Sequence, residues 1–154
     1  MKPLTLNLIA LPGIPLIQPG DDLAQLILEA LERAGVILQT GDALVVTSKI
    51  VSKAEGRIFN LNAVTPGEEA VRVAAETRKD PRIVELVLRE SQTISRSAPG
   101  VLITRHRLGF VSASSGIDQS NVDGGEEHVL LLPLDPDASA HGIRDALRTA
   151  TGAE

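Results

Sequence analysis

Between Ser114 and Val122 the chain reads Ser-Ser-Gly-Ile-Asp-Gln-Ser-Asn-Val, which sets a carboxylate, three hydroxyls, two amides and a glycine within nine positions. No other stretch concentrates polar ligand groups so densely. Two readings suit that set. In the first, Asp118 holds a hard divalent cation through oxygen while the Asn121 amide hydrogen-bonds an anionic or nucleotide ligand. In the second, Asp and Asn close Asx-turns on their own backbone two residues on. The compact apolar run Leu108–Ala113 comes just before. A strand end followed by a Gly-containing turn would point Asp118 and Asn121 into a cleft past a sheet edge.

A second cluster follows the short apolar run Ala43–Val46: Thr47, Ser48, Lys49, Ser52, Lys53 and Glu55. If a helix starts at Lys49, then Lys49 and Lys53 share one face. Two ammonium groups so placed repel each other unless an anion or a carboxylate lies between them. A bound phosphate would relieve the repulsion, and a strand-to-helix junction offers N–H groups to hold it. The alternative is a solvated basic face with Glu55 nearby. The sequence contains no Gly-x-x-x-x-Gly-Lys-Ser/Thr stretch, so this is not a P-loop. At Arg105-His106-Arg107 a cationic turn suits an acidic substrate, or is simple surface basicity. His128 reads as strand-edge structure and His141 as an exposed helical residue. Glu90 and Arg96 are the remaining charges of interest.

Bulk properties narrow the function classes. At 154 residues, with 43% hydrophobic content, the chain suffices for one domain with a real core. Phe59 and Phe110 are its only aromatics, so stacking platforms for single-stranded nucleic acid are missing. A net charge of −5 argues against general phosphate-backbone binding. Without cysteine, disulfides, thiolate metal sites and cysteine nucleophiles are excluded. The apolar runs are too short to span a membrane, and the first residues lack a signal-peptide pattern. These features predict a soluble, cytoplasmic protein with no nucleic-acid or membrane partner.

The elements that must position the two clusters follow from periodicity. Leu4–Ile9 alternates as a strand, and Leu11–Pro15 is a stiff loop, either a connector or a presenter of backbone groups. A helix capped by Asp21 or Asp22 carries Leu23, Leu26, Ile27, Ala30, Leu31 and Ala34 in phase and ends at Gly35. Ala43–Val46 reads as a buried strand. Thr65-Pro66-Gly67-Glu68 is a capping box with proline at the first helical position, and its helix stops near Lys79-Asp80. Pro81 opens the next helix, with Ile83, Leu86, Val87 and Glu90 in phase. Val101–Thr104 and Leu108–Ala113 make a hairpin, and Val129–Leu132 another strand. Asp137 or Ser139 caps a last helix through Ile143, Ala146 and Leu147. Helices and strands mix without strict alternation, which predicts an α+β fold with a mixed β-sheet and flanking helices.

Several stretches together resemble one family. They are Leu11-Pro12-Gly13-Ile14, the run Val45 to Arg57 containing Val-Ser-Lys-Ala-Glu-Gly, Lys79-Asp80-Pro81-Arg82, Arg105 to Val111, Gly116-Ile117-Asp118-Gln119-Ser120-Asn121-Val122, and Leu132 to Ala140. Their order and content are similar to the coenzyme F420:L-glutamate ligase (coenzyme F420-0 γ-glutamyl ligase) family. The resemblance implies a GTP-dependent ligase that adds L-glutamate to the deazaflavin coenzyme precursor through an acyl phosphate. It implies GTP contacts at Leu11, Pro12, Gly13, Ile14, Ser48, Lys49, Lys53 and Asn121, and a divalent metal, Mg²⁺ or Mn²⁺, on Asp118. A K⁺ ion and a homodimer belong to the same expectation; the catalytic residue is not assigned. Two departures stand out. Family members usually carry Asn-Ala or Ser-Ala where this chain has Ser114-Ser115. The family pattern also continues past Glu154 with a second metal-binding acid and a further GTP segment. Residues 1–154 are therefore expected to be the N-terminal portion of a larger two-part fold, inactive as a ligase by itself. The competing expectation is a truncated or split relative that binds nucleotide or another subunit without turnover.

Overall fold

The computed structural model describes residues 5–119, 125 and 127–153. Asn121 therefore lies outside the described residues. The first helix, α1 (Leu23–Ala34), begins where Asp22 accepts the Gln25 N–H and ends at left-handed Gly35, as the spacing predicts. Its apolar stripe packs Ile27 and Leu31 against Leu147 of the last helix, α5 (Pro136–Thr151). Leu11, Val36, Leu38, Val46 and Ile143 close around that cluster. Between these helices in sequence lies the short α2 (Ser48–Ala54), which carries Ser48, Lys49 and Lys53.

A second layer is built from α3 (Glu68–Thr77) and α4 (Pro81–Arg89) against an antiparallel sheet, β2 (Ser91–Ala98), β3 (Val101–His106) and β4 (Val111–Ala113), in the order β2-β3-β4. Val73, Ala74, Val84, Val87 and Leu102 form the core between them. Asp80 caps α4 by accepting the Arg82 N–H, with Pro81 at the first position, where its missing donor costs nothing. Joining the two layers is a small antiparallel pair, β1 (Ile58–Asn60) with β5 (His128–Leu130). Leu86 of α4 and Leu61 pack under Val129 and Leu131 there.

The fold class is α+β. The strand pairs among the described residues are all antiparallel and fall in two small sheets, where a single mixed sheet was expected. The Thr65 capping box does not form. Gly67 is the N-cap of α3, and its N–H is satisfied from across the helix pair by Glu85 Oε2 at 2.9 Å. At α5 the cap is Asp135, accepting the Ala138 N–H at 2.9 Å, so Asp137 sits in the first turn instead. The strand β2 was not expected: its sequence, Ser-Gln-Thr-Ile-Ser-Arg-Ser-Ala, has no clean alternation, and pairing with β3 decides its conformation. Conversely, 5–9 and 43–46 read as strands but lie in no strand pair among the described residues.

Candidate functional site

The Ser114–Gly116 segment is a tight 3₁₀ turn in which three successive residues adopt positive φ: 47°, 51° and 69°. Only glycine does so without steric cost, and left-handed non-glycine residues concentrate where the surroundings force them. Here the anchor is the buried Ser115 hydroxyl, 2.6 Å from Ser91 Oγ and 2.7 Å from Thr104 Oγ1. Alanine at this position would present nothing to those two hydroxyls. Gly116 is required twice over. Its φ is left-handed, and a Cβ there would stand 3.0 Å from Leu132 Cδ1.

That turn delivers Asp118 to the edge of β5. Its N–H donates to the Leu130 carbonyl at 2.9 Å, and its own carbonyl accepts the Leu130 N–H at 2.8 Å. The Asp118 backbone is thus fixed as a third rung beside β1-β5. Its carboxylate reaches the other cluster, with Oδ2 2.7 Å from Lys49 Nζ. An internal carboxylate is one of the two ways to relieve the lysine pair, and for Lys49 it is the one realised. Lys53, one turn later, is buried with Ser52 on the inner face of α2. Of the two readings, the solvated basic face does not hold at Lys53.

Two polar clamps fix α2 itself. Glu55, just past its end, accepts the Leu134 N–H at 2.9 Å and the Ser139 hydroxyl at 2.6 Å, tying α2 to the start of α5. Arg57 donates from Nε to the Leu132 carbonyl at 3.0 Å and from Nη2 to Glu90 Oε1 at 2.8 Å. Glu90 is the hub of a buried charge cluster. Its other oxygen lies 3.0 Å from Arg107 Nε and 3.5 Å from His106 Nε2. Arg107 also donates to the Pro133 and Leu134 carbonyls. Burial pushes the Glu90 carboxyl upward, and the Arg57 and Arg107 guanidiniums outweigh it, holding the group below the usual carboxylate range. Burial lowers the His106 pKa, with Glu90 opposing. A neutral ring also fits the contact in which Nδ1 accepts the Leu108 N–H at 3.0 Å.

Within the cationic Arg105–Arg107 turn, only the exposed Arg105 remains open as a donor to an acidic substrate. Arg107 already pairs with an internal acid, Glu90, and the buried His106 ring lies beside that acid. The signal for that acid was present in the sequence: Glu90 stands in phase with Ile83, Leu86 and Val87 on the apolar stripe of α4. Nothing in sequence spacing pairs it with Arg57.

The remaining expected ligand residues are spread more widely. Ser48 lines a cavity of about 380 Å³ whose apolar wall includes Leu38, Leu44, Val46, Ile143 and Leu147. Leu11–Ile14 lies against α1. Leu11 joins the α1/α5 cluster, and the carbonyl of Gly13, whose φ is +76°, accepts from Arg33 Nη2 at 3.1 Å. A hard cation takes six or more oxygens, and among the described residues no three His, Asp or Glu side chains gather to hold one. Asp118, with an ammonium already on it, is one carboxylate and not a complete metal site.

Residues 13–154 match the profile of the F420-0:gamma-glutamyl ligase family. The chain belongs to that family. Among its relatives, the coenzyme F420:L-glutamate ligase of Methanothermobacter thermautotrophicus is 46% identical over 149 residues, covering 97% of this chain and 58% of the relative. The Methanopyrus kandleri protein of the same name is 42% identical, over 97% of this chain and 57% of its own length. That of Archaeoglobus fulgidus is 43% identical, over 91% and 53%. This F420-0:gamma-glutamyl ligase family chain thus spans little more than half the length of the curated relatives it matches. Among the described residues no helix is long and apolar enough to cross a membrane.

Proposed function

We propose that the chain is the nucleotide-phosphate-binding part of a ligase that adds L-glutamate to the deazaflavin coenzyme precursor at the expense of GTP. The observation that carries this reading is the Lys49–Asp118 pair: two groups that the resemblance assigns to the ligand, from distant parts of the chain, meet at 2.7 Å on a fixed backbone. In this reading the precursor carboxylate attacks the γ-phosphorus of GTP, giving an acyl phosphate and releasing GDP. The amino group of L-glutamate then attacks the acyl carbon and loses a proton, and inorganic phosphate departs with the C–O bonding pair. Lys49 turns from Asp118 to the incoming phosphates and offsets their charge. Ser48 and the Leu11–Ile14 loop contribute polar contacts. Asn121 keeps its proposed nucleotide role. A divalent cation on Asp118 and a K⁺ ion belong to the same proposal; nucleotide phosphate and water complete a Mg²⁺ shell that one or two carboxylates anchor, and no step is derived through either ion. Assembly as a homodimer is also part of this reading.

Titrating GTP against this chain and its Lys49→Ala variant tests the proposal. A charge-assisted contact contributes roughly 1.5–3 kcal/mol, so binding should weaken by one to two orders of magnitude. Unchanged GTP affinity would refute the phosphate role. The ligase step is read separately, with ¹⁸O in the precursor carboxylate: one label should appear in the released phosphate.

A further inference from the structure

Lys49 and Asp118 sit on different elements, and what fixes the gap between them lies elsewhere. The helix α2 is seven residues long and its N-cap Thr47 makes no side-chain capping bond. So short a helix takes its place from what it packs on. Asp118 is fixed as a rung against Leu130. The two residues after Leu130 are bonded to Arg57, just past the end of α2. The Arg57 carbonyl accepts the Leu131 N–H at 3.0 Å, and Arg57 Nε donates to the Leu132 carbonyl at 3.0 Å. Arg57 therefore sets the spacing between the helix that carries Lys49 and the rung that carries Asp118.

Arg57 is held in turn. Its Nη2 donates to Glu90 Oε1 at 2.8 Å, and both side chains are nearly buried. The other Glu90 oxygen takes Arg107 Nε at 3.0 Å, and Arg107 donates onward to the Pro133 and Leu134 carbonyls. One carboxylate thus aims two guanidiniums at three successive carbonyls, those of Leu132, Pro133 and Leu134. That segment lies past β5 and contains Pro133, which has no N–H, so a strand ladder does not hold it. A buried ionic cluster is a poor source of net stability, and its best-attested use is to fix register. Here the register it fixes is that of α2 against the Asp118 edge.

We infer that Glu90 is a positioning residue for the phosphate site: through Arg57 and Arg107 it sets the distance between Lys49 and Asp118, and it touches no ligand itself. This role rests on the reading of Lys49 as a phosphate contact. A misplacement of about 1 Å can cost a site about two orders of magnitude. Loosening the bracket should therefore be felt in GTP affinity while the chain is still folded.

The chain contains no cysteine, so two can be introduced as reporters. Spin labels on Thr47→Cys and Gln119→Cys, both exposed, read the gap between α2 and the Asp118 edge without nucleotide. Under folded conditions Glu90→Gln should shift or broaden the interspin distance by about 1 Å or more. Val73→Ala, which opens a cavity in the α3/α4 core, should lower the melting temperature and leave that distance alone. An unchanged distance in Glu90→Gln would overturn the inference. GTP titration of the unlabelled protein gives the second readout. Glu90→Gln should weaken binding about tenfold in the parent chain and less than about twofold in the Lys49→Ala background, since both changes act on one contact. Equal weakening in the two backgrounds would make Glu90 a general structural residue and overturn its positioning role. If Lys49→Ala leaves GTP affinity unchanged while the Glu90→Gln distance moves, the phosphate reading falls and the placement of α2 by Glu90 stands. Should Glu90→Gln fail to fold, Arg57→Lys takes its place. An ammonium keeps the charge but cannot bridge Glu90 and the Leu132 carbonyl as the guanidinium fork does, so the same two results are expected from it.

Discussion

Replacing Glu90 with glutamine tests the role given to the buried charge cluster. The side chain is one-tenth exposed, and its oxygens meet Arg57 at 2.8 Å, Arg107 at 3.0 Å and the His106 ring at 3.5 Å. Glutamine keeps the shape but removes the charge, and its amide directs two donors toward groups that are themselves donors. Arg57, 11% exposed, is left as a nearly buried cation. Breaking one partner out of a buried pair costs about 3–5 kcal/mol. The Arg107 contribution is smaller, because its side chain is 29% exposed and water screens it. The lower end, about 3 kcal/mol, is therefore expected. At this chain length each kcal/mol moves the melting temperature by about 2–4 °C, so a fall of about 6–12 °C should follow. Urea denaturation followed by circular dichroism gives the free energy directly. A companion Arg57→Met change separates pairing from packing: the double variant should be less destabilised than the sum of the two singles. A loss below about 1 kcal/mol for Glu90→Gln, the scale of surface pairs, would mean that the cluster is effectively solvated and that the reasoning fails.

The same cluster sets a pH dependence. The Glu90 and His106 pKa values are both lowered in the fold, so the unfolded chain binds more protons and acid destabilises. The His106 share is complete above its ordinary value of 6.5 and the Glu90 share above 4.5, and each fades as pH falls through the folded value. Melting temperature recorded from pH 8 to pH 4 should decline with a steeper slope in the acid half; a flat profile would contradict it. Lys53→Ala should lower apo stability by about 1–3 kcal/mol, because it empties a buried position, whereas Lys49→Ala, in a part-exposed pair, should change it by less than about 1 kcal/mol. Equal melting temperatures for the two variants would place Lys53 at the surface. Gly116→Ala should cost about 1–3 kcal/mol from its left-handed φ, before the Leu132 contact is counted; a neutral result in urea titration would show that the turn relaxes.

The legible parts of the fold were those governed by local chemistry. Asp22 and Gly35 delimit α1, Pro81 opens α4, and the β3/β4 hairpin follows from its apolar runs. What the sequence hid depends on partners elsewhere in the chain. Gly67 takes the cap from Thr65 because Glu85 reaches it from the next helix. The polar β2 is a strand only because β3 lies beside it. The segments 5–9 and 43–46 show the reverse: strand pattern without a strand partner. At the site, Asp118 and Lys49 were legible as chemistry, but their mutual contact was not, because it depends on how α2 and β5 come together. Asn121 lies outside the described residues, so its role rests on the sequence reading and the resemblance.

The hydroxyl trio of Ser91, Thr104 and Ser115 constrains the order in which substitutions can accumulate. Each hydroxyl donates once, and Ser91 sends a bond to the Val87 carbonyl as well as sharing one with Ser115. Removing Ser115 Oγ takes a partner from the fully buried Thr104, whereas Ser91 keeps the Val87 carbonyl, so the cost of the first step falls on Thr104. Once Thr104 has become valine and Ser91 alanine, the same change at Ser115 costs little. Lineages that carry alanine at this turn are therefore expected to carry apolar residues at the other two positions. The shared contacts predict that the three positions change together, with the single hydroxyl losses costlier than the joint change.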